Sequence, residues 1–65
     1  MNSSGFSELA DGVYIEANKA LIAENYYDAI AKYESILNDG YESAELYYNL
    51  GNAYYRSEQL GKSIW

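Results

Sequence analysis

Shifting the 65-residue chain against itself by 34 positions superposes Tyr14 on Tyr48, Asn18 on Asn52, Glu24 on Glu58 and Ile30 on Ile64. Small residues coincide at the same offset, Ala17 with Gly51 and Ala29 with Ser63. A period of this length restricts the fold more than any other feature of the sequence. One such unit cannot bury its apolar face alone, so successive units must stack on one another.

Apolar spacing defines what the unit is made of. Leu9, Val13, Ala17, Ala20 and Leu21 recur at intervals of three and four across Glu8–Ile22, the spacing of one helix face. Tyr26, Ala29, Ile30, Tyr33, Ile36 and Leu37 repeat it, and Tyr47, Leu50, Gly51 and Tyr54 follow. A fourth face begins at Leu60 and reaches Ile64. The chain has no proline and few glycines, which favours helices over a turn-rich β fold; its tyrosines are at home in either.

Punctuation agrees with the spacing. Ser7, Asn25 and Ser43 stand as N-caps for three helices, with Asp28 in the capping-box position after Asn25. Gly40 supplies a left-handed residue after the second helix, and Ser57-Glu58-Gln59 reads as a short break before a fourth. The prediction is an all-α chain with a flexible lead over 1–6. A first unit spans 7–42, with helices at about 8–23 and 26–38. A second, incomplete unit spans 43–65, with a helix at about 44–56 and a partial helix at 59–65.

Leu50-Gly51, then Tyr54, then Ser63-Ile64 resembles the tetratricopeptide motif, with Tyr47 where that family often carries tryptophan. Ala17, Ala20, Ala29, Tyr33 and Ile36 match the pattern less fully in the first unit. The resemblance covers residues 10 to 65, about one and two-thirds repeats. More narrowly, EANKALIAENYYDAIAKYESIL followed by GYESAELYYNLGNAYYRSEQLGKSI is similar to the aerotolerance-operon (Bat) tetratricopeptide proteins of bacteria.

The resemblance implies antiparallel helix pairs stacked as a superhelix, with small residues at the closest approach. Ala17 then faces Ala29, and Gly51 faces Ser63, close contact offsetting the roughly 1 kcal/mol that glycine costs inside a helix. Tyr47, Leu50 and Tyr54 are expected to fill the space beside Tyr33 and Ile36. Glu16 stands where Leu50 stands in the second unit, which reads as the solvated outer face of a leading repeat.

The implied function is non-enzymatic: a scaffold or adaptor binding an extended peptide of a partner protein in a concave groove lined by the first helix of each unit. Projection of the helices places Asp11, Tyr14, Asn18, Leu21 and Ile22 in that groove from the first unit. Glu45, Tyr48, Asn49, Asn52, Tyr55 and Arg56 follow from the second. Asparagines suit a peptide backbone, and tyrosine rings give apolar contact at low entropy cost. Asn18 and Asn49 match the asparagines of the family's carboxylate clamp, but Tyr14 stands where its first lysine should be. These asparagines then hold either peptide backbone or the helix packing itself. The narrower likeness implies a bacterial assembly linked to oxidative-stress tolerance, periplasmic or membrane-associated in the full-length protein and otherwise cytoplasmic.

Composition bounds the alternatives. With no cysteine or histidine, a disulfide and the usual metal ligands and general base are missing, and no catalytic, metal or cofactor site is expected. Asp39, Glu42 and Glu45 lack the spacing of a calcium loop, Ser35 has no base in view, and no glycine-rich phosphate loop is present. A net charge of -6 argues against nucleic acid and against direct binding to anionic membrane. No apolar run approaches the roughly 20 residues of a membrane span.

The second unit's last helix would need more residues than Gln59–Trp65 supply, so an open apolar end is expected at Tyr47, Leu50, Leu60, Ile64 and Trp65. Either the sequence is a fragment of a longer chain, or a second copy closes that end as a homo-oligomer. Self-assembly, or service as a non-catalytic segment of a larger enzyme, is therefore the alternative to the adaptor.

Overall fold

The structure, a computed structural model, describes the backbone of residues 3–63 and the side chains of residues 11–60. Three helices account for almost all of it: α1 (Ser3–Ile22), α2 (Tyr26–Asn38) and α3 (Ala44–Ser63). No strand occurs among the described residues. α2 packs on both α1 and α3, and the short connections make each neighbouring pair antiparallel. Chain extents of 51 × 18 × 15 Å describe a rod, and the radius of gyration of 12.9 Å exceeds the roughly 11 Å of a compact chain this long.

Both helix ends that turn the chain use the same hydrogen-bond pattern. At the end of α1 the Asn25 N–H donates to the Ala20 carbonyl at 2.8 Å and the Glu24 N–H to that of Leu21 at 3.0 Å. At the end of α2 the Tyr41 N–H donates to Ile36 at 3.3 Å and the Gly40 N–H to Leu37 at 2.9 Å. This paired closure needs a left-handed residue at its centre. Gly40 supplies it as expected, at φ 96°. In the first turn Glu24 occupies that place at φ 66°, where a Cβ is strained. Glu24→Gly is therefore expected to raise stability by about 1 kcal/mol, or 4–8 °C in the melting midpoint followed by circular dichroism.

Caps depart from expectation in part. The Ser43 Oγ accepts the Leu46 N–H at 3.0 Å, capping α3 as predicted. Asn25 makes no side-chain cap, because its backbone (φ -92°, ψ 69°) completes the turn from α1 and is not extended as a capping residue usually is. α1 begins at Ser3, so residues 3–6 of the expected lead are helical. Ser3 and Ser4 are capping types as much as Ser7, and Gly5 between them costs the helix only about 1 kcal/mol. Leu9 lies outside the described side chains.

The core runs along α2. Ala17 and Ala20 of α1, Ala29, Tyr33 and Ile36 of α2, and Leu46, Leu50 and Ala53 of α3 form one buried cluster. Val13, Leu21, Ile30, Leu37 and Tyr41 pack around it. Ala17 and Ala29, which the resemblance places at the closest approach of the two helices, are both fully buried. Glu16 is exposed and lies 3.8 Å from Lys19.

α3 corrects three expectations. The break at Ser57-Glu58-Gln59 is absent: Glu58 and Gln59 are good helix formers with no glycine, asparagine or proline beside them, and the helix runs through to Ser63. Ser57, expected in a loop, is buried, its hydroxyl donating to the Tyr54 carbonyl at 2.9 Å. The face toward α2 is Leu46, Leu50, Ala53 and Ser57, so Tyr47 and Tyr54 remain about half exposed. The Tyr54 hydroxyl reaches the Glu34 carboxylate at the rim instead of the core. Gly51 is no contact point either. It is exposed, and a Cβ there would meet nothing within 4 Å.

Candidate peptide-binding surface

Tyr14, Asn18, Tyr33 and Asn49 join the three helices through side-chain polar groups. The Asn49 amide donates to the Tyr14 hydroxyl at 2.8 Å and, at a longer 3.5 Å, to the Asn18 side-chain oxygen. The Tyr33 hydroxyl, at the end of a fully buried ring, donates to that same oxygen. The Tyr14 and Tyr33 rings are tilted at 60° with centroids 5.9 Å apart, within the range of a favourable aromatic pair. Burial raises the pKa of both phenols; the Glu45 charge raises Tyr14 further, and Tyr14 and Glu45 do the same to Tyr33. The link sets the α1 and α3 faces of the predicted groove side by side.

Beside this link lies a cleft of about 250 Å³. Asp11, Tyr14 and Glu45, all assigned to the groove from sequence, line it with Tyr41, Glu42 and Ser43 over an apolar floor of Ile36 and Leu46. The ion pairs among the described residues are Lys19 with Glu16 and Lys32 with Asp28, so none neutralises the cleft carboxylates. Tyr41 and Glu42 are not assigned to the groove from sequence, where Glu42 is weighed only with Asp39 and Glu45 as a calcium loop. Their signal was Gly40: a left-handed helix end directs the following residues back over the last turn.

The remaining groove residues divide. Tyr48 and Tyr55 are exposed on α3, at 72% and 62%. Asn52 is half-buried, and Leu21 packs against the core. Ile22 is 82% exposed at the far end of α1. Arg56 lines a separate, shallower hollow with Glu24, Tyr26, Gln59 and Leu60, away from the acidic cleft. Of the expected self-association face, Leu50 is buried against α2 and does not belong to it. Tyr47 and Leu60 are half-exposed, while Ile64 and Trp65 lie outside the described residues.

No group of acidic side chains among the described residues is placed to hold a metal ion, and no described helix is long and apolar enough to cross a membrane. The fold defines the class of the protein no further than a helical chain packed around a central helix. No family model, curated protein or solved structure matches it.

Proposed function

We propose that this chain is a protein-interaction module of tetratricopeptide type, without catalytic role, that holds an extended peptide segment of a partner along α1 and α3. The observation that carries this reading is the Asn49–Tyr14 hydrogen bond, which aligns the first helices of the two units while Tyr48 and Tyr55 stay exposed. Asn18 and Asn49 then serve as the brace of the groove. Exposed tyrosines and Asn52 provide contact with the peptide, and the cleft at Asp11, Glu42 and Glu45 receives one end of it. Three carboxylates there favour a segment carrying a basic residue over an acidic one. The likeness to the aerotolerance-operon proteins extends the reading to an adaptor in a bacterial assembly, periplasmic or membrane-associated.

Selection of binders from a peptide library, followed by titration calorimetry, tests this. Tyr48→Ala should weaken the selected peptide at least about fivefold, the mark of an aromatic contact that carries binding energy. Asn52→Ala should weaken it less. Affinity unchanged in both variants removes the groove.

A further inference from the structure

The 34-residue offset relates two helix faces that the structure treats in opposite ways. The α3 face buried on α2, Leu46, Leu50, Ala53 and Ser57, corresponds to Gly12, Glu16 and Lys19 of α1 and Ala23 just after it, all exposed. Conversely, the α1 positions Val13, Ala17 and Ala20, which belong to the packed core, correspond to Tyr47, Gly51 and Tyr54. These three form one strip of α3 by helical spacing: Gly51 is exposed, and Tyr47 and Tyr54, the latter with its hydroxyl on Glu34 of α2, are about half exposed. Cover of the kind α2 gives α1 would require a turn at Ser57–Gln59, the positions that correspond to Ala23–Asn25, and α3 runs straight through them. One outer face of the stack is thus charged and solvated, and the other is aromatic and open.

We propose that two copies of this chain close that open face on each other, α3 packing antiparallel on α3 about Gly51. Head-to-tail stacking is opposed by chemistry, because it would seat Tyr47 and Tyr54 on the Glu16–Lys19 ion pair and strip both charges of water. Pairing of like faces avoids this and gives a finite two-fold dimer, not a filament. Gly51 suits the crossing point: it leaves open space between two rings, so that the second backbone approaches and the rings of each copy flank the other's glycine. With the axis at Gly51, Glu58 falls opposite Ala44 at the edge, where it stays hydrated. The inference rests on the repeat and on the straight α3, and does not need the peptide groove.

Sedimentation equilibrium of the 65-residue chain over a wide concentration range tests it. The mass should rise from 7.4 kDa toward twice that value and stop there. Gly51→Arg should weaken dimerisation at least about tenfold with helix content preserved, since the new side chain enters open space and arginine is the better helix former. Glu16→Arg, on the opposite face, should leave the dimer unchanged. The proposal is overturned by a monomer at every concentration, by growth beyond the dimer, by a Gly51→Arg chain that associates like wild type, or by loss of association in Glu16→Arg. Loss of peptide capture in Tyr48→Ala bears on the groove alone, so the two readings fail separately.

Discussion

Replacing Tyr33 with alanine is expected to lower stability by about 3–5 kcal/mol, the cost of removing a large aromatic ring from a core. Tyr33 is the one large side chain with no exposed surface among the described residues. Its ring meets Tyr14 of α1 and its hydroxyl reaches Asn18, so the cavity would open where α2 holds α1. A chain of this length has only about 3–10 kcal/mol of stability in all. The variant should therefore lose a third or more of its stability, seen as a large drop in the urea midpoint followed by circular dichroism. Tyr33→Phe keeps the ring and removes one hydrogen bond, and Asn18 still accepts from Asn49, so a loss of about 1 kcal/mol is expected. A loss as small as that in the alanine variant would contradict a core centred on this ring.

Leu50→Ala should cost about 2–5 kcal/mol by the same route, leaving a cavity between α2 and α3. This result separates two placements of one residue. On an open self-association face, leucine truncation would change dimerisation and leave the monomer's stability nearly untouched. In the structure Leu50 is 8% exposed and sits in the same buried cluster as Leu46 and Ala53, so the monomer itself should weaken. Denaturation at concentrations below dimerisation measures the difference directly.

The ambiguity over Leu50 shows where the sequence could be read and where it could not. On α3, Tyr47, Leu50, Gly51 and Tyr54 satisfy a helical period as well as Leu46, Leu50, Ala53 and Ser57 do. Tyrosine carries both a ring to bury and a hydroxyl to hydrate, so periodicity alone does not choose between adjacent faces. Ser57 misled because serine is a turn residue unless it bonds back along its own helix, as it does here. Glu24 gave no sign of its left-handed backbone. The strain is local, whereas the compensation, the burial of α2 on α1, is distant in sequence. Within the candidate site, Asp11, Tyr14 and Glu45 were legible from projection, but Tyr41 and Glu42 come from a loop whose path depends on how α2 ends.

Three helices, the buried alanines of the first unit, the Gly40 helix end and the Ser43 cap follow from local chemistry, since spacing and capping act within a few residues. Which side of α3 meets α2, whether the chain turns or continues at Ser57, and whether Asn18 and Asn49 face a ligand or each other depend on contacts between helices. Those contacts join residues some 15 to 35 positions apart, and they choose among alternatives that helical spacing within one segment leaves open.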